Sequence, residues 1–112
     1  MAGTIKRTFG PLALTTTLTT NVYNQGSALI FDVLTHIHIA NKTASAATFS
    51  LWLGATGANA AGTELFNGYS VAANSVYDWY GRLKMTSTDF LVGGSNTATA
   101  LTIQAEGEQV VV

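Results

Sequence analysis

Apolar and polar residues alternate along most of this chain, with the two-residue period of β-strands rather than the period of helices. The alternating runs are rich in β-branched and aromatic residues, and clusters of Gly, Asn and Ser separate them. Strands are predicted at residues 12–20, 28–40, 47–53, 64–66, 69–72, 76–85, 90–92 and 98–106. The pattern therefore predicts an all-β fold, a single antiparallel β-sandwich that is jelly-roll-like.

The first residues of the chain lack this strand pattern. They predict an extended N-terminal arm at residues 1–11, followed by a β-sandwich domain at residues 12–112. Because the arm has too few apolar side chains to pack on itself, it either frays, as termini commonly do, or docks on a neighbouring subunit, and we expect docking. Deleting residues 1–10 should then leave the domain folded. The predicted contact residues of the arm are Ile5, Lys6, Arg7 and Phe9.

Glycine and asparagine mark the predicted connections between strands. We expect a hairpin between the strands at 28–40 and 47–53, a flexible loop at 54–62 and a turn at 93–96. Gly81 interrupts an aromatic strand, which predicts a bulge or a close backbone contact at that position.

Strict alternation assigns the side chains of the strand at 28–40 to two faces. The predicted inward residues are Phe31, Val33, Ile37 and Ile39. The predicted outward residues are Asp32, Leu34, His36 and His38. In the neighbouring strand Trp52 is also predicted to point outward. Large apolar groups at outward positions such as Leu34 and Trp52 indicate a covered surface, and either another subunit, which we favour, or a long loop of the same chain covers it.

The composition points the same way. The 112 residues carry only 10% charged side chains and a net charge of -1, whereas soluble proteins carry about 25%. We therefore expect a homo-oligomer, with a trimer favoured. The near-neutral charge argues against a nucleic-acid partner, and no apolar run approaches the ~18 residues of a membrane span. Without cysteine, the chain has no disulfide and no Cys nucleophile or Cys metal ligand.

Three polar residues of one strand, Asp32, His36 and His38, form the most specific candidate site. Two histidines separated by one residue share a strand face and have the spacing to share a metal ion. The pair resembles the start of the cupin metal motif, but Asn41, Lys42 and Thr43 follow where that motif has a Glu, and the chain has no third His. We therefore expect no metal and no other cofactor, and a polar strand face instead.

Other chemistry finds less support. No serine lies in a Gly-x-Ser-x-Gly elbow, and no pair of carboxylates is tied to a cleft, so we expect no catalytic activity. The aromatic residues Tyr77, Trp79 and Tyr80 are compatible with sugar stacking, as in a carbohydrate-binding module. Tyr77 and Trp79 share a face with Leu83, however, which favours packing in a core, and Tyr80 lies opposite.

Several segments together resemble small structural proteins of tailed bacteriophage virions. The resemblance lies in the Thr-rich ALTTTLTTNVYN, the strand pair IHIANKTASAATFSLWLG, Asn74-Ser75, Gly81-Arg82-Leu83, Asp89 and LTIQAEGEQ, and it covers most of residues 12–109. It implies a non-enzymatic virion protein, first a capsid decoration or cement protein that bridges shell subunits, with a neck or tail component as the alternative. The implied partners are further copies of the chain and the major capsid protein. Trp52 is the predicted contact on an intersubunit face.

Overall fold

Eight β-strands make up the fold in a computed structural model that describes residues 3–54 and 63–111. Their bounds are β1 Thr4–Ala13, β2 Asn21–Asn24, β3 Ile30–Asn41, β4 Ala47–Gly54, β5 Thr63–Val71, β6 Ser75–Met85, β7 Phe90–Ser95 and β8 Leu101–Val111. The flexible loop predicted at 54–62 lies outside the described residues except for its first residue, which ends β4.

The strands form two four-stranded sheets that pack face to face. The first sheet has the order β1-β8-β3-β6 and the second has the order β2-β7-β4-β5. All the strand pairs in both sheets are antiparallel. Eight antiparallel strands divided in this order between two sheets form a jelly roll. The all-β sandwich predicted from the alternation of apolar and polar residues is therefore confirmed.

Two predicted connections are wrong. β3 and β4 do not form a hairpin, because β3 pairs with β6 and β8 in the first sheet while β4 pairs with β5 and β7 in the second. The buried side chain of Asn41 holds the crossing between the sheets, donating to the carbonyl oxygens of Ser45 and Val71 at 2.9 and 3.0 Å. The glycines expected to form a turn at 93–96 continue β7 instead, as far as Ser95.

The segment expected to form an arm is extended, but it belongs to the sheet. Residues 4–13 form β1, which pairs along its length with β8. The Phe9 side chain is buried between the sheets and stacks on Tyr23 at a ring distance of 5.1 Å. The alternation in this segment is broken by register shifts on either side of Phe9, which is why it escapes a strict pattern. The Thr-rich segment predicted as a strand at 12–20 is strand only as far as Ala13.

The core fills the space between the sheets with apolar side chains from inward positions. Ile37, Ile39, Leu101, Ile103 and Ala105 are all buried, as the alternation predicts. Half-buried Tyr77, Trp79 and Leu83 pack against this core from β6, and Tyr80 on the opposite face is exposed, also as predicted.

The first half of β3 departs from the predicted faces. Leu34 and Asp32 are buried rather than outward, while Phe31 and Val33 are only half-buried on the outer side. The cause is a register shift between Leu34 and His36 in both ladders of β3.

Thr35 is the residue around which the register shifts. Against β8 it has no partner, because Leu34 pairs with Gly107 and His36 pairs with the next residue, Glu106. Against β6 it stands opposite two residues, Gly81 and Arg82. The bulge predicted at Gly81 is therefore present. Within β3, the extra residue Thr35 reverses which face of the sheet the even-numbered residues occupy.

Candidate functional site

Charge is distributed unevenly between the two sheets. Of the eleven charged residues, eight lie in strands of the first sheet, and only Glu64 lies in a strand of the second. The outer face of the first sheet consists of outward positions on all four of its strands. Its residues include Ile5, Arg7, Val33, His36, His38, Val76, Asp78, Tyr80, Lys84, Glu106 and Glu108. The polar chemistry of the chain is therefore concentrated on one side of the sandwich.

Three side chains converge at the centre of this face. His36 and His38 lie after the bulge on the same face of β3, and Asp78 lies directly opposite His38 in β6. The Oδ1 atom of Asp78 is 2.7 Å from His36 Nε2 and 2.6 Å from His38 Nδ1. One carboxylate oxygen thus accepts hydrogen bonds from both imidazoles.

A fourth residue and an aromatic ring fix the orientation of His36. Glu106 of β8 accepts a hydrogen bond from His36 Nδ1 at 3.2 Å. The Tyr80 ring stacks on the imidazole at 4.6 Å, with only 5° between the ring planes. We call His36, His38, Asp78 and Glu106 the histidine cluster. Because carboxylates only accept hydrogen bonds, this arrangement requires a hydrogen on each nitrogen of His36, which is the charged imidazolium.

The pKa values in the cluster follow from these contacts. Desolvation lowers the pKa of His36, but the hydrogen bonds and negative charges of Asp78 and Glu106 together outweigh it, and the pKa is raised. The hydrogen bonds from His38 and His36 lower the pKa of Asp78, although partial desolvation opposes them. The cluster therefore favours a positive charge between the two carboxylates.

The cluster is also able to offer metal ligands. The ligand atoms of His36, His38 and Asp78 all lie within 4.8 Å of one another. Their side chains are 20%, 31% and 31% exposed, so solvent reaches them. A shallow groove opens beside His38, lined by Pro11, His38, Ala40, Lys42, Thr102, Ile103 and Gln104.

Of the three residues of the candidate site, His36 and His38 share the outer face of β3 and Asp32 does not. Asp32 lies on the inner side of the sheet, where it is 1% exposed. It accepts hydrogen bonds there from Tyr23 Oη at 2.6 Å and Gln109 Nε2 at 3.2 Å. The bulge at Thr35 separates it from the histidines. Asp78 of β6, the ladder partner of His38, takes its place.

The predicted contact residues are placed differently from one another. Ile5 is 80% exposed on the outer face of the first sheet, and Lys6 and Arg7 are exposed as well. Phe9 is not available as an anchor for a partner, because it is buried in the core of its own chain. Trp52 is half-buried in the second sheet and points away from the core, since its neighbours Leu51 and Leu53 pack into it.

The aromatic residues considered for sugar stacking do not share a surface. Tyr77 and Trp79 pack against the core, whereas Tyr80 is exposed and stacks on His36. Among the described residues there is also no helix of the length and apolarity needed to cross a membrane.

No family model, curated protein or solved structure matches the chain. The resemblance to tailed-phage structural proteins therefore stays a prediction. The function is inferred from the fold and the two outer surfaces of the sandwich.

Proposed function

We propose that this chain is a non-enzymatic structural protein of a virion, and specifically a decoration or cement protein that stabilises a capsid by bridging shell subunits. It acts as a homo-oligomer, with a trimer favoured, and its partners are its own copies and the major capsid protein. The alternative within the same class is a component of the neck or tail.

One observation carries the proposal: large apolar side chains are exposed on both edge strands of the first sheet. Ile5 on β1 is 80% exposed, and Val76 and Tyr80 on β6 are 55% and 72% exposed. Exposed apolar groups gain free energy when another surface covers them. The edge strands also have free backbone hydrogen-bonding groups, which suit strand-by-strand contact with a neighbour.

The charges on this face suit contact with further copies of the chain. Arg7 and Lys84 supply positive charge on the edge strands β1 and β6. Glu106 and Glu108 supply negative charge on β8, the interior strand beside β1. A surface with both signs pairs with itself when copies are related by rotation, as in closed oligomers. We therefore assign self-association to the two edge strands of the first sheet, β1 and β6.

The second sheet suits contact with a shell. Its strands contain a single charged residue, Glu64. Thr48 and Trp52 lie at outward positions on β4, on either side of the buried Ser50. A neutral surface loses less hydration free energy when it is covered than a charged one. Trp52 provides the large contact there, since Trp is frequent among residues that dominate binding energy.

Cementing follows from binding only the assembled shell. A protein that binds the assembled state stabilises it by mass action, by about 2.7 kcal/mol for each site when its free concentration is a hundred times Kd. This mechanism needs a rigid domain with two covered surfaces and no catalytic group.

The oligomeric state tests the self-association. Light scattering on a sizing column should give a trimer or larger ring for the unaltered chain. Ile5→Arg should shift it toward monomer, because a charged side chain would replace an apolar contact in the interface. Ala44→Arg, in the exposed turn before β4, is the control and should leave the mass unchanged. A monomer at all concentrations would overturn self-association.

The location of the protein tests the rest. Virions of the virus whose genome encodes the chain are labelled with a gold-conjugated antibody against the chain. The position of the label is then determined by electron microscopy. Label over the heads supports decoration, and label confined to necks or tails supports the alternative. Virions without label would sink the proposal as a whole.

A further inference from the structure

We propose that His36, His38 and Asp78 bind a divalent transition-metal ion of the zinc type on the outer face of the first sheet. The site goes beyond the proposed function and does not depend on it. It differs from the expectation drawn from the sequence, because the third ligand comes from β6, far along the chain.

The backbone places the three ligand atoms without help from a loop. The histidines are two residues apart on one strand face, so both imidazoles project the same way. Asp78 is the direct ladder partner of His38. The strand that contains it, β6, pairs with β3 on both sides of the bulge. Sheet positions hold side chains more precisely than loops do, which suits a preorganised site.

The distances require a rearrangement that the side chains alone are able to make. Asp78 Oδ1 is 2.7 and 2.6 Å from the two histidine nitrogens. In a tetrahedral site with bonds of about 2.0–2.1 Å, ligand atoms lie about 3.3 Å apart. The carboxylate oxygen must therefore move away from each nitrogen by less than about 1 Å, and the two nitrogens, which lie within 4.8 Å of each other, must approach by up to about 1.5 Å. Rotations of the three side chains supply movements of this size. The ion then replaces the hydrogens that His36 Nε2 and His38 Nδ1 donate to Asp78, and the imidazolium of His36 releases a proton as the metal binds.

Two imidazoles and one carboxylate form a donor set that zinc accepts. Zinc sites with three protein ligands are completed by water in the fourth position. The partial exposure of all three side chains allows water to reach that position. Other first-row ions also accept imidazole and carboxylate ligands. Zinc is the ion we propose because it binds both ligand types in a tetrahedral site with one open position.

Glu106 is the positioning residue of the site. Histidines that bind metal commonly donate their second ring N–H to a carboxylate, which fixes the tautomer and the ring orientation. Glu106 accepts in this way from His36 Nδ1, at 3.2 Å, and thereby leaves Nε2 for the metal. The Tyr80 ring, stacked at 4.6 Å, restricts the imidazole from the other side.

Isothermal titration calorimetry tests the site. The full chain is first freed of metal with a chelator and is then titrated with Zn²⁺. His36 and His38 are the only two histidines in the chain, and it has no cysteine. In a protein without an affinity tag, Zn²⁺ therefore has no other histidine or cysteine to bind. Saturable binding of one Zn²⁺ per chain is expected, and Co²⁺ in its place should show the visible bands of a tetrahedral ion with nitrogen and oxygen ligands.

Variants assign the ligands. His38→Ala and Asp78→Asn should each reduce Zn²⁺ affinity by more than tenfold. Glu106→Gln should reduce it by about 10- to 100-fold while the ligand set stays intact. Glu108→Gln, on the same face of the same strand, is the matched control and should bind as the unaltered chain does. Urea unfolding without metal checks that each variant is folded.

Three outcomes would overturn the site. These are the absence of saturable Zn²⁺ binding by the unaltered chain, undiminished binding by folded Asp78→Asn, and equal effects of Glu106→Gln and Glu108→Gln. Because the readout is metal binding by the isolated chain, these outcomes are independent of whether the protein decorates a virion.

Discussion

Leu34 and His36 are two residues apart in β3, yet they lie on opposite faces of the first sheet. Leu34 is fully buried between the sheets, and His36 points outward toward Asp78 and Glu106. Ordinary strand alternation would place them on the same face. The extra residue between them, Thr35, therefore determines which half of β3 supplies the core and which half supplies the histidine cluster.

Gly107 permits the close strand contact beside this bulge. It pairs with Leu34, and a Cβ atom at this position would meet the Val33 carbonyl oxygen and lie 2.9 Å from Leu34 Cα. Since these are backbone atoms, they cannot move aside as a side chain can. We expect Gly107→Ala to lower the free energy of unfolding by about 2 kcal/mol or more, as overpacking does. Urea unfolding measures this loss.

Thr102→Ala, on the same strand at a half-exposed outward position, serves as the comparison for Gly107→Ala. It should change stability by less than about 0.5 kcal/mol. If the two variants unfold at the same urea concentration, β3 and β8 are not in close contact at the bulge.

Replacement by alanine should destabilise the domain far more at Phe9 than at Ile5, although the two residues lie only four positions apart in β1. Phe9 is buried and stacks on Tyr23, whereas Ile5 is 80% exposed. We expect Phe9→Ala to cost about 3 kcal/mol of stability, since it removes a buried aromatic ring. Ile5→Ala should cost less than about 0.5 kcal/mol in the monomer. Thermal or urea unfolding at low protein concentration compares them.

The same contrast reverses an expectation about the N-terminus. A free arm could be deleted without harm, but residues 1–10 include most of the β1–β8 ladder and the Phe9 ring. Their deletion should therefore destabilise the domain. A truncated chain as stable as the full one would mean that β1 does not pair with β8 in solution.

Regular strands were the part of the fold that could be predicted from the sequence. The bounds of β3, β4 and β6 agree with prediction to within two residues, because each has sustained alternation between clear turn residues. The prediction that the strand continues through the Thr-rich segment after Ala13 was wrong, because β-propensity alone does not supply a pairing partner. The partner of each strand was also beyond prediction, since β3 pairs with β6 and β8 from far along the chain.

Half of the histidine cluster could be predicted for the same reason. The shared face of His36 and His38 depends only on local alternation, and it is confirmed. Asp32 was assigned to that face by extending the alternation through Thr35, where the bulge breaks it. Asp78 could be found only by knowing that β6 lies beside β3. Local rules therefore identify the histidines, and topology identifies their carboxylates.

Tyr23 and Asp32 join the two sheets through a partly buried hydrogen bond. Tyr23 Oη donates to Asp32 Oδ2 at 2.6 Å, and the carboxylate is 1% exposed. Tyr23→Phe keeps the ring but leaves Asp32 with Gln109 as its remaining side-chain donor. We expect a loss of about 2 kcal/mol, the range for a hydrogen bond to a charged group. Tyr80→Phe, on the exposed face, should be nearly neutral.

The Tyr23 hydroxyl also makes stability depend on alkaline pH. Burial raises the pKa of Tyr23 far above its ordinary value of 10.0, and the hydrogen bond and charge of Asp32 raise it further. A group with a raised pKa contributes fully below the pKa of the unfolded chain, and its contribution is lost as pH rises toward the folded pKa. Between about pH 9 and about pH 11, the unaltered chain should therefore lose about 1 kcal/mol more stability than Tyr23→Phe, after allowance for partial exposure of the ring. Tyr77, whose pKa is also raised, is present in both proteins and cancels. Urea unfolding at both pH values measures the difference, and parallel losses in the two proteins would show that the Tyr23 hydroxyl is not held by Asp32.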